Sequence, residues 1–189
     1  MANKDAPFGM KPIGKVGQNR DNQGLSEYDI AASATAIYFQ DPVKMVNTGT
    51  IGVAAAGDSL LGVLTGIFFT DASTSKPTFA NHLDASNAAT DIKGFITDDP
   101  YERFEIQSNN AGASAQTDVG NCADIAYAAG ATPNYISKVE LDDSSLAATT
   151  AQLKIVGVSK DPDNSDIGAA NVNWVVTINE HFLKQTAGI

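Results

Sequence analysis

The stretch 91–107, DIKGFITDDPYERFEIQ, constrains the fold more than any other part of the chain. Two short apolar runs, 92–97 and 103–107, flank an acidic break. Phe95 alternates with Lys93 and Thr97, and Phe104 and Ile106 alternate with Glu105 and Gln107. A two-residue period gives a strand one buried face and one wet face, whereas a helix needs apolar residues three or four apart. Asp98-Asp99-Pro100 interrupts the pattern, because proline fixes its own φ and lacks the N–H that a ladder uses. The spacing predicts two strands joined by a turn, with the rest of the chain laid against them as further strands.

The same reading extends in both directions. Tyr28 with Ile30, then residues 36–39, 43–46 and 51–55, are predicted strands separated by Asp41-Pro42 and Asn47-Thr48-Gly49. Residues 60–70, LLGVLTGIFFT, are the longest β candidate, and Gly62 and Gly66 inside them predict a bulge, a bend or a close backbone approach. Residues 71–90 read as polar loop with a short edge strand at 77–80. Residues 123–129 read as either a helical turn or a strand, with a short turn favoured. Residues 137–141, 152–158 and 172–178 read as strands, the last with Trp174 and Val176 on one face and Trp174 a core residue in preference to an interface anchor. No segment holds a long 3.6-residue period. Strands at short spacing between Gly, Asn and Asp turns predict an all-β domain over residues 25–189, a single β-barrel or sandwich with a jelly roll among the arrangements allowed.

Residues 1–24 differ. They are rich in Gly, Pro, Asn and Lys, and their apolar residues, Phe8, Met10, Ile13 and Val16, fit neither a helix nor a strand period. Pro7 and Pro12 favour extended backbone. The segment therefore reads as an extended N-terminal arm, with Pro7, Phe8, Met10, Lys11, Pro12 and Ile13 as anchors for a neighbouring surface. Charge agrees: residues 1–20 carry +3, while the whole chain carries −10, leaving −13 on the other 169 residues. A basic arm on an acidic body suits docking on an acidic neighbour.

The acidic balance sets the chain apart from nucleic-acid binders, which need a basic surface for phosphates. The apolar run at 60–69 is broken by glycine and threonine and is too short for a helix that spans a bilayer. Met1-Ala2-Asn3-Lys4 leads into no apolar signal region, so synthesis in a cytoplasm is expected. Cys122 is the sole cysteine, which excludes an internal disulfide and predicts a buried, inert thiol.

Four patterns touch on chemistry. Gly57-Asp58-Ser59-Leu60 spells a lipase and esterase signature, but the C-terminal partner, Ile178-Asn179-Glu180-His181, lacks the aspartate that would orient its histidine, and no α/β alternation surrounds it. Asp161, Asp163, Asn164 and Asp166 space their oxygens like a calcium loop, without the glycine and glutamate that complete one. His82, His181 and Cys122 stand singly, with no zinc-ligand spacing. Asp98 and Asp99 are adjacent in a turn, where side chains point apart. The sequence therefore predicts no catalytic residue, no cofactor and no metal, and a non-enzymatic protein.

Several segments, in order along the chain, resemble one family. They are Ala6-Pro7-Phe8-Gly9-Met10-Lys11-Pro12, then GVLTGIFFTD from Gly62, then Asp98-Asp99-Pro100 leading to Phe104-Glu105-Ile106-Gln107. Val139-Glu140-Leu141-Asp142, Pro162-Asp163-Asn164 and Val176-Thr177-Ile178-Asn179-Glu180-His181 follow. Together they resemble small virion structural proteins of tailed bacteriophages, of the head decoration or cement type; Met10 stands where that family has leucine and Lys11 where it has arginine. The resemblance implies a protein made in the host cytoplasm and carried on the outer capsid surface. It implies the major capsid protein and further copies of the chain, as a trimer or dimer, as partners, with no nucleic acid or membrane. Within the virion the rival place is the tail or the head–tail connector. A carbohydrate-binding β module is the rival outside it.

Overall fold

β-branched and aromatic residues alternating with polar ones, cut at short intervals by Gly, Asn and Asp, favour sheets joined by tight turns. The computed structural model describes residues 3–17, 25–110, 114–186 and 188, and contains no α-helix among them, only short 3-10 turns. Its strands form three antiparallel sheets. The first orders β1 (Lys11–Lys15), β8 (Glu102–Gln107), β13 (Asn173–Ile178), β12 (Leu153–Val158) and β9 (Cys122–Ala123) side by side. The second orders β2 (Ser26–Asp29), β7 (Lys93–Thr97), β5 (Gly62–Thr70), β3 (Pro42–Met45) and β4 (Ile51–Val53), with β6 (Pro77–Ala80) on the far end of β5. The third is the small pair β10 (Ile125–Ala126) and β11 (Glu140–Leu141). Neither large sheet closes on itself, so the architecture is sandwich-like and not a barrel.

The two strands that frame the acidic break both exist, but they are not partners. β7 pairs with β2 and β5, whereas β8 pairs with β1 and β13. Residues 98–101 carry the chain from one sheet to the other. The crossing is pinned by the Tyr28 hydroxyl donating to Asp98 at 2.6 Å, by Lys15 Nζ against Asp99 at 2.7 Å, and by the Glu102 N–H donating to the Asp99 carbonyl at 3.0 Å. Alternation tells which face of a strand is buried; it does not tell which strand lies beside it.

Each large sheet buries its own core. Phe104, Ile106, Leu153, Ile155, Trp174 and Val176 pack under the five-stranded sheet, and Ile51, Leu61, Leu64, Ile67, Ile92 and Ile96 under the six-stranded one. β5 is the shared wall, since Val63 belongs to the first core and Leu64 to the second. Its glycines act as the sequence predicts. A Cβ on Gly62 would sit 2.2 Å from the Thr97 carbonyl oxygen, and the register against β7 shifts by a bulge between Leu64 and Gly66.

Other expectations need correction. Residues 36–39 make isolated bridges, Ile37 to Leu83 and Phe39 to Ile136, instead of a strand. Of the two readings of 123–129, the strand is the one that forms, as parts of β9 and β10, and only Glu140–Leu141 of the strand read at 137–141 is regular. The largest correction concerns the N-terminal segment, where no strand is expected and β1 forms. Its period is hidden by a bulge between Pro12 and Gly14, and Pro12 is tolerated because β1 is an edge strand, where a missing N–H costs little. Residues 1, 2 and 18–24 of the segment, including Arg20, lie outside the described residues, as do 111–113 of the loop after β8.

Candidate interaction surfaces

The described part of the N-terminal segment lies along its own body. The Ala6 N–H donates to Gln107 Oε1 at 2.9 Å, and Gln107 Nε2 donates to the Lys4 carbonyl at 2.9 Å. Asn164 Nδ2 donates to the same carbonyl at 2.8 Å, Asn3 Nδ2 donates to the Asp166 carbonyl at 3.0 Å, and Lys4 forms an ion pair with Asp163. The 161–166 loop, calcium-like in its spacing, thus directs its side chains and backbone onto residues 3 and 4. Among the described residues no cluster of three or more His, Cys, Asp or Glu could hold a metal ion.

The six candidate anchors divide accordingly. Met10 is fully buried in the core of the five-stranded sheet, so it fills a pocket of its own body and not a neighbour's. Pro7, Phe8 and Pro12 are half-buried. Lys11 lies exposed, its Nζ 4.0 Å from Glu105, and Ile13 is 44% exposed. Gly9 makes the docking tight. Its φ is +78°, and a Cβ there would meet Ser137 Cβ at 2.4 Å and the Gln40 carbonyl oxygen at 2.5 Å.

The fold brings Ser59 close to His181, through a parallel bridge between Leu60 and His181. Their side chains are otherwise engaged. The Ser59 hydroxyl donates to the Glu180 carbonyl at 3.4 Å, and His181 Nδ1 accepts the Leu183 N–H at 3.1 Å, capping a 3-10 turn over Phe182–Lys184. The imidazole is fully buried, and burial, with Lys184 adding, pushes its pKa down to about 4. Asp98 and Asp99 point apart, one to Tyr28 and the other to Lys15, which holds the Asp99 carboxyl below its usual range. Cys122 is buried and free, and Trp174 is fully buried.

A surface that the sequence reading did not single out lies on the six-stranded sheet. Phe68 and Phe79 are cross-strand partners on β5 and β6 with ring centroids 4.9 Å apart, and Phe79 stacks on Phe95 of β7 at 6.1 Å. Phe79 is 74% exposed and Leu25, beside it, 46%. Lys93 is held between Glu27 and Asp29 at 3.5 and 2.6 Å. A Phe in a four-residue edge strand opposite one of the Phe68-Phe69 pair was the available signal. Soluble chains rarely leave an aromatic cluster of this kind in water unless something covers it. Comparison with family models, with curated proteins and with solved structures finds no match.

Proposed function

We propose that the chain is a non-enzymatic decoration protein of a tailed-bacteriophage head, bound to the outer capsid surface, where it reinforces contacts between shell subunits. The structural observation that carries this reading is the aromatic patch on an acidic all-β body, with Phe79 and Leu25 exposed and Phe68 and Phe95 half-buried beside them. Aromatic clusters flanked by polar residues are what protein interfaces use as anchors. A protein that cements a shell works through such area, repeated over many copies, and needs no reaction centre. The ordered resemblance of its segments to phage decoration proteins supports the same reading. The net charge of −10 suits an outer face, since packaged DNA would favour a basic surface.

Quantitative mass spectrometry of purified virions tests the proposal through the copy number of this chain relative to the major capsid protein. Hundreds of copies, in simple ratio to the shell subunit, are expected. A few dozen copies would place the chain in the tail or connector instead. Absence from the virion would overturn the reading.

A further inference from the structure

The outer face of the five-stranded sheet carries a signature of its own. Phe104, Val176 and Ile155 are in register across β8, β13 and β12 and point into the core. Residues one position along point the other way, because strand side chains alternate. Arg103, Thr177 and Lys154 therefore form one row across the outer face, which places the two cations about 10 Å apart at their backbones. Both are exposed, and neither has a hydrogen bond, an ion pair or a ring contact among the described residues. Lys160, past the other end of β12 and lining a groove with Arg103 and Ile13, is in the same condition. Aliphatic side chains flank the cations: Ile13 at 44% exposure on the neighbouring β1, Val156 at 41% on β12, and the half-buried Val175 on β13 between them.

Carboxylates are scarce here although the chain as a whole is rich in them. Glu105 is buried under its hydrogen bonds from the Ser159 hydroxyl and Asn173 Nδ2, with Lys11 nearby, and Asp161 lies at the rim. A chain with 22 acidic and 12 basic residues has thus left unpaired cations on one partly apolar face. The aromatic patch offers no such guide to its occupant, since Lys93 there is already neutralised by Glu27 and Asp29.

We propose that this outer face, centred on Arg103, Thr177 and Lys154, is a contact surface separate from the aromatic patch, by which the chain seats on an acidic, partly apolar patch of the shell subunit, an assignment that rests on the decoration reading. Charge complementarity selects the occupant's sign and steers its approach, while Ile13, Val156 and Val175 supply the apolar contact area that protein interfaces bury.

Co-sedimentation with heads assembled without this chain tests it. The wild type is compared with Arg103→Glu/Lys154→Glu and with Lys76→Glu/Lys138→Glu, which reverses two charges elsewhere, so that both variants move from −10 to −14. Arg103→Lys/Lys154→Arg keeps the charge. Wild-type binding should fall about ten-fold between about 50 and 500 mM salt, as screening shortens the reach of exposed charges. The Arg103/Lys154 reversal should cost about a hundred-fold at low salt, while the control reversal and the charge-keeping variant stay within about three-fold. Equal binding by both reversals, or equal loss, overturns the assignment of this face while leaving decoration intact. Failure of the wild type to bind such heads removes the decoration reading itself, and the docking face with it.

Discussion

Asp41→Asn should change how stability depends on pH, and by an amount that the structure sets. Asp41 is fully buried just before β3, where its Oδ2 accepts the Tyr38 N–H at 2.8 Å. Burial pushes its carboxyl up from 3.8 to about 6, against the opposing pull of the Ser137 hydroxyl and the Tyr38 N–H. Between about pH 4 and 6 the native chain holds a proton that the unfolded chain releases, so raising the pH favours unfolding. The shift corresponds to about 3 kcal/mol, present in full below pH ~4 and lost by the time the pH has risen through ~6. Asparagine still accepts the Tyr38 N–H but never ionises. The variant should therefore gain about 3 kcal/mol on the wild type as the pH rises through this window, and the difference should be level on either side. Urea unfolding followed by the fluorescence of Trp174, the sole and fully buried tryptophan, reads this directly. With a slope of about 2–3 kcal/mol per molar, the gap between midpoints should change by about 1 M. Carboxyls held low, such as Asp58, Asp71 and Asp99, titrate in both proteins and cancel in the difference. His181 has the opposite sign: held down to about 4, it refuses in the native state a proton that the unfolded chain takes up, so its contribution is lost as the pH falls. The two groups largely offset one another in the wild type, and Asp41→Asn should expose the acid-side decline due to His181. Midpoint differences that stay constant from pH 4 to 7 would refute the reasoning.

Gly9→Ala should lower stability by about 2–4 kcal/mol, since a left-handed φ and contacts under 3 Å with Ser137 and Gln40 leave no room for a methyl group; urea midpoints check it, and a loss under about 0.5 kcal/mol would show the segment seated otherwise. Asn164→Ala should remove the 2.8 Å bond to the Lys4 carbonyl and cost about 1–2 kcal/mol. Amide exchange should then quicken at residues 3–6 while β13 stays protected, and unchanged exchange at Ala6 would count against the clasp.

The sequence disclosed its faces better than its neighbours. Alternation located strands at 93–97, 153–158 and 173–178 and buried the correct side of the last two, because burial on one face leaves a period of two wherever the ladder is regular. In 93–97 it is Ile92 and Ile96 that face the core, and Phe95 shares the outer face with Lys93 and Thr97. Gly62 and Gly66 announced a close approach and a bulge for the same reason that other residues are excluded there. Regularity failed at β1, where the bulge between Pro12 and Gly14 moves the alternation out of phase and an edge proline imitates a loop. It failed again at β9, β10 and β11, each two residues long and too short to display a period. The separation of β7 from β8 lies in none of these residues alone. It depends on Tyr28 and Lys15, far off in sequence, which hold Asp98 and Asp99 at the crossing. The aromatic patch was hidden for a related reason: Phe79 and Phe95 meet only because β6 and β7 flank β5 on opposite sides.

The charge asymmetry between the N-terminal segment and the body is largely resolved within the chain. Lys4 is paired with Asp163, Lys11 lies near Glu105, and Lys15 is paired with Asp99, so three of the four cations that made the segment basic face carboxylates of their own body. The fourth, Arg20, lies outside the described residues. The segment's charge therefore serves to lay β1 against β8 more than to seek an acidic neighbour, and exposed pairs of this kind contribute register more than energy. Placing β1 there brings Ile13 and Lys11 to the edge of the outer face that Arg103 and Lys154 occupy. Among the described residues, Arg103 and Lys154 on that face are cations without an ion pair, while Lys4, Lys11 and Lys15 of the segment face carboxylates. What reads in sequence as a basic arm reaching for a neighbour becomes, in three dimensions, the border of a basic sheet face, and long-range attraction to an acidic partner acts from that face.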